Sequence, residues 1–128
     1  ALAIETETTE VDSILAACAK RYAALRVEVD QLVWDRIELR DGSPGASSIR
    51  GVVVPRHQRI ECVLPPTADL PTHVEALGRL AGGGWEVWAL VPMGSMGDAH
   101  RLMRGVPVRL QAWWTDGGDI HFGRPETP

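Results

Sequence analysis

The stretch Leu77-Gly78-Arg79-Leu80-Ala81-Gly82-Gly83-Gly84-Trp85-Glu86-Val87-Trp88-Ala89-Leu90-Val91-Pro92 reads as a helix end, a glycine stop and a hydrophobic strand closed by proline. Glycine takes the left-handed conformation past a helix C-terminus without steric cost, so Gly82-Gly83-Gly84 stops the helix. Upstream, Thr72 and Glu75 have the spacing of a capping box, and Val74, Leu77 and Leu80 form one apolar stripe. That predicts a helix of about three turns over 72–81. Downstream, Trp85, Val87, Ala89 and Val91 share one strand face, with Trp88 and Leu90 beside Glu86 on the other. Both faces need cover, so the strand is expected to be central. The glycines do not make a phosphate loop: they end a helix rather than open one, and no Gly-Lys-Ser/Thr follows.

On the C-terminal side, Met93 to His100 reads as a loop, and Val106 to Thr115 as a strand whose start Pro107 confines to an edge or bulge. Asp116-Gly117-Gly118-Asp119 marks a tight hairpin, because a two-residue type I′ turn needs positive φ at both central positions. Its register places Trp113 opposite Phe122 and Trp114 opposite His121. On the N-terminal side, Gln58 to Leu64 alternates, with Ile60, Cys62 and Leu64 on one face and Arg59 and Glu61 on the other. Ile49 to Val54 reads as a short edge strand ended by Pro55.

Residues 1–8 read as a polar tail, and Thr9 as a helix cap. Val11, Leu15, Cys18, Tyr22, Leu25, Val29, Leu32 and Leu39 then recur in alternating steps of four and three, broken at Arg36. This is a heptad seam, and it predicts a helix over 9–41 about 46 Å long at about 1.5 Å per residue. Residues 33–40 also alternate, so a helix ending near Leu32 followed by a strand and an Asp41-Gly42 hairpin is the alternative. Asp41 to Ser48 is a Gly-, Ser- and Pro-bearing boundary before a small domain over 49–125. The expected fold is therefore α+β: a small antiparallel sheet of 3–5 strands packed by one short helix, preceded by a long heptad helix.

A chain of 128 residues with a 45% hydrophobic fraction and 23% charged residues can bury a core without metals or disulfides. The net charge is −4, the acidic excess lies in residues 1–49, and no cationic face is evident. This argues against a nucleic-acid partner, whose affinity rests on phosphate neutralisation. No apolar run reaches the roughly 20 residues of a membrane span. The acidic N-terminus lacks the order of a signal peptide. Cys18 and Cys62 have no CxxC spacing and read as buried thiols of a reduced compartment, with a single disulfide as the alternative. A cytoplasmic protein is expected.

The matching residues Leu77 and Gly78, Gly84-Trp85-Glu86, Val91-Pro92 and Phe122-Gly123-Arg124-Pro125 carry a resemblance. Over residues 59–125 the chain resembles a small family of uncharacterised bacterial and phage proteins, departing from it by a longer Met93–Pro107 connection. The resemblance implies a compact antiparallel sheet with one helix. It carries no activity and no catalytic residues, and it points to a virion-associated location if the chain is phage-encoded.

Groups able to do chemistry are sparse. His57, His73, His100 and His121 lack the partner spacing of a recognisable metal site, although His57, Cys62 and His121 on neighbouring strands can be imagined together. Cys62 with His73 or His121 as base is a possible nucleophile, but its alternation points it to the apolar face. Ser95 lacks the Gly-x-Ser-x-Gly setting of a nucleophile elbow. No metal or cofactor is called for. The favoured reading is a non-enzymatic interaction or assembly module, self-associating or docking on a partner protein. Leu15, Tyr22, Leu25, Val29 and Leu32 on the helix seam would supply one contact, and Trp34, Trp88 and Trp113 a second. The rival reading is a small-ligand or catalytic pocket between the 72–81 helix and the sheet, lidded by Met93–His100.

Overall fold

The computed structural model describes residues 2–34, 49–66 and 70–128, the side chains of residues 2–9 and of Trp34 apart. Among these residues three helices, α1 (Leu2–Ala24), α2 (Leu70–Gly82) and α3 (Met96–Leu102), enclose one sheet. Its strands are β1 (Asp30–Trp34), β2 (Ile49–Val54), β3 (Arg59–Val63), β4 (Glu86–Pro92), β5 (Val108–Asp116) and β6 (Asp119–Phe122), side by side in that order. β1, β2 and β3 are antiparallel, β3, β4 and β5 are parallel, and β6 returns antiparallel to β5.

Parallel neighbours need a crossover, and α2 and α3 supply the two. Right-handed crossovers in one direction along a sheet put both helices on the same face. Ala76 and Leu77 of α2, with Ala99 and Met103 at α3, accordingly pack on Ile60, Cys62, Val87, Ala89, Val91 and Leu110. The other face belongs to α1, where Val11, Ile14, Leu15 and Cys18 meet Val52, Val63, Leu90 and Trp113. The curled sheet lets α1 reach both β2 and β6. β4, fourth of six, is thus covered on both sides, as its nearly unbroken apolar run requires. Among the described residues, no helix is long and apolar enough to cross a membrane.

The predicted antiparallel sheet of 3–5 strands with one short helix is corrected to a mixed six-stranded sheet with three helices. The cause is Met93–His100, whose glycines and serine read as a loop. It forms a 3-10 turn and then α3, because Met96, Ala99 and Met103 recur at helical spacing and bury against the sheet. The long heptad helix is also corrected. α1 stops at Ala24, and Arg26 takes a positive φ of 57° as the chain turns toward β1. From there Val27, Val29, Leu32 and Val33 continue in a segment of β-branched and alternating residues that pairs with β2 rather than winding on. Thr9 and Thr72, expected as caps, lie inside helices that begin at Leu2 and Leu70. Ile49–Val54 is an interior strand, flanked by β1. The readings of Arg36, Leu39 and the Asp41–Ser48 loop fall outside the described residues.

Other local readings match the coordinates. α2 ends at Gly82, with Gly84 at φ 91°. Gly117 and Gly118 take φ 59° and 86°, and Trp113 pairs with Phe122 and Trp114 with His121. Gly51 on β2 answers a different need, since a Cβ there would overlap the Glu61 carbonyl oxygen on β3. Gly51→Ala is expected to lower the unfolding free energy by about 1–3 kcal/mol, the usual cost of overpacking. Gly82→Ala, with nothing within 4 Å, should leave the urea midpoint unchanged or raise it. Equal midpoints for the two variants would contradict the close β2–β3 approach.

Candidate functional site

Arg21 and Tyr22 at the end of α1 meet Arg59 and Glu61 of β3 and Gln111 of β5 in one polar network. Alternation along β3 turns Ile60 and Cys62 toward α2 and α3, and therefore turns Glu61 toward α1. Glu61 is 1% exposed. Burial of a carboxylate costs several kcal/mol unless it is paired and hydrogen-bonded, and both its oxygens are engaged. Arg21 Nη2 donates to Oε1 at 2.9 Å, and the Tyr22 hydroxyl donates to Oε2. Arg59 Nη1 in turn donates to the Tyr22 oxygen at 3.0 Å. Arg21 Nη1 reaches Gln111 Oε1 at 3.3 Å, and Gln111 Nε2 donates to the Gly123 carbonyl at 2.8 Å.

Two cation–π contacts border this network. The Arg21 guanidinium lies 4.1 Å from the centre of the Phe122 ring, and that of Arg59 lies 4.7 Å from the Trp88 ring. Trp88 Nε1 donates to Glu86 Oε1 at 2.7 Å, which also lies 3.6 Å from Arg59. The result ties α1 to four strands of the sheet. It leaves no buried carboxylate oxygen exposed to a substrate, so its chemistry is that of an anchor.

The thiols are equally withdrawn. Burial, then the Glu61 charge, pushes Cys18 up to about 12, with Arg21 opposing. Burial and Glu61 push Cys62 to about 12 as well. The thiolate is the nucleophile, so neither thiol is armed near neutral pH. Cys62 lies on the α2–α3 face of β3, while His121 lies three strands away on β6, stacked on Trp114 at 5.8 Å. His57 meets the edge of Tyr22 at 6.1 Å, and His100 lies 3.1 Å from Glu126. The structure does not bring His57, Cys62 and His121 together. Among the described residues no three His, Cys, Asp or Glu side chains are grouped to hold a metal ion.

The residues expected at an interface fall in different places. Leu15 and Trp113 are buried between α1 and the sheet, Tyr22 is in the Glu61 network, and Trp88 is covered by Arg59. Leu32 packs against the α2–α3 core and Val29 is half-buried. Leu25 is exposed, and Trp34 is on β1 opposite Ile49. The space between α2 and the sheet, suggested for a ligand, is filled by Ala76, Leu77, Leu64 and Val91. The segment suggested as its lid holds Ala99 in the core.

An open groove was not read from the sequence. About 740 Å³ in volume, it runs between α1 and the β5–β6 hairpin, lined by Ser13, Ala16, Ala17 and Lys20 on one side and Asp119 to Phe122 on the other. Small residues on the flank of α1 were its only signal. No family model matches this chain, and no curated protein or solved structure matches it either.

Tyr22 is the only tyrosine, so tyrosinate absorbance reports the anchor alone. Burial, then its hydrogen bond to Glu61, pushes its pKa up from 10.0 to about 12. The folded state thus disfavours the ionised ring. Its contribution to stability is full below about pH 10 and is lost as pH rises toward about 12. The expected titration midpoint is about 12 in the folded protein and about 10 in denaturant. A folded midpoint near 10 would contradict the anchor.

Proposed function

We propose that the protein is an interaction and assembly module that joins a second copy of itself through the outer edge of β1. One observation carries this reading: Leu25, in the segment linking α1 to β1, and Val33, on β1 itself, are 67% and 57% exposed beside a strand with no outer partner among the described residues. An unpaired strand edge offers a row of backbone donors and acceptors to another chain, and flanking apolar side chains favour its use. Antiparallel pairing of two β1 strands about a two-fold axis would satisfy both edges at once and close the assembly as a dimer. The buried, unarmed state of both thiols and of Glu61 supports a non-enzymatic role. A cytoplasmic setting, or a virion-associated one as a phage structural protein, accompanies this reading; the phage version rests on the motif resemblance alone.

Light scattering after gel filtration is expected to give a dimer mass at tens of micromolar, a usual range for a modest strand-edge contact. Leu25→Asp with Val33→Lys should give a monomer with an unchanged thermal transition, since neither side chain is in the core. A monomeric native protein, or a dimer indifferent to both changes, would overturn the proposal. Leu32→Asp is unsuitable, because Leu32 packs on the core and its loss would unfold the chain.

A further inference from the structure

The groove between α1 and β6 lies at the opposite side of the sheet from β1 and has the two elements of a strand-addition site. The first is a backbone edge. In the hairpin closed by Gly117-Gly118, Asp119 and His121 exchange hydrogen bonds with Asp116 and Trp114, because hydrogen-bonded pairs alternate along an antiparallel ladder. The backbone groups of Ile120 and Phe122 therefore face away from β5. No strand pairs with them among the described residues, since the C-terminal tail turns back to β5 through Glu126 and Leu110.

The second element is a wall of small side chains. Ser13, Ala16 and Ala17 of α1 line the groove with small side chains, leaving room for those of an added strand. A second helix has no spare backbone groups for the Ile120 and Phe122 edge, whereas an extended segment does. The groove is also polarised. Arg21 over the Phe122 ring brings the C-terminal end of α1 beside Phe122, and Lys20, the chain's sole lysine, lines this end. Lys20 is exposed and makes no ion pair among the described residues, while Arg21 is already paired with Glu61. The hairpin end carries Asp119 instead.

We infer that this groove binds an extended, acidic peptide segment by strand addition to β6, with a carboxylate of the segment against Lys20. Backbone pairing to Ile120 and Phe122 supplies the affinity, and the alternating side chains and the Lys20 ion pair supply the selection. The inference does not depend on the β1 dimer.

The test uses two fluorescent peptide pools about eight residues long, a usual strand length. Val, Ile and Thr occupy alternate positions in both, with Glu between them in one pool and Lys in the other. Polarisation should show binding of the Glu pool over the Lys pool, weakening with salt. Lys20→Glu, at an exposed position that leaves the fold intact, should weaken the Glu pool by about tenfold or more. Amide exchange should slow at Ile120 and Phe122 on binding. Leu25→Asp with Val33→Lys should change nothing, which separates this result from that of the β1 edge. Failure of both pools to bind, indifference to Lys20→Glu, or protection of Ile120 and Phe122 in the protein alone through pairing with a second copy would each overturn the inference.

Discussion

A carboxylate buried at the centre of a sheet is the constraint on which the rest of this structure depends. Glu61 sits on β3, third of six strands, where its desolvation is tolerable only if charge and hydrogen bonds reach it from above. The sheet alone does not meet that need. α1 does, by placing Arg21 and Tyr22 one position apart at the end of its apolar stripe. Val11, Ile14, Leu15 and Cys18 supply non-directional burial, which would tolerate a shifted helix. The two bonds to Glu61 select one register.

That register has consequences at both margins of the sheet. With Tyr22 held over β3, the chain leaves α1 close to the entry of β1. Leu25 and Val33 then remain outside the core at one edge. Arg21, held between Glu61 and Gln111, lies over Phe122 and lets the flank of α1 face β6 across a groove. The two candidate contact surfaces are thus products of the same anchor, on opposite edges. The edges also differ in kind: one offers exposed apolar side chains, the other a walled channel with a lysine at its end.

Local chemistry made β4 and the β5–β6 hairpin legible. Val87 to Val91 demanded cover on both faces, and the glycine pair at 117–118 set the turn and hence the Trp113 and Trp114 partners. Segments with conflicting signals were not legible. Steps of four and three from Val11 to Leu32 fit a heptad seam, yet one apolar stripe serves equally to pack a helix on a sheet. Only the partner distinguishes these, and the partner is the remote face of β2, β3, β4 and β5. α3 was hidden because Gly97 within it and Gly94 just before it argue against a helix, while burial of Ala99 and Met103 overrides that weak preference. Without α3, the parallel order of β4 and β5 could not be inferred. Arg59 and Glu61 alternated correctly with Ile60 and Cys62, but what lay above them was a matter of tertiary structure. Their role as an anchor, and the groove beside it, emerged only with α1 in place.

The Arg21–Glu61 pair positions α1 rather than decorating the surface. The most direct measurement is a double-mutant cycle of Arg21→Met and Glu61→Gln, read from urea unfolding of the two single variants and the double variant. A coupling energy of about 1 kcal/mol or more is expected, because Arg21→Met strands the buried Glu61 charge, whereas Arg21, 35% exposed, keeps solvent and Gln111 when Glu61 changes. Additivity within about 0.5 kcal/mol, as found for independent positions, would contradict it.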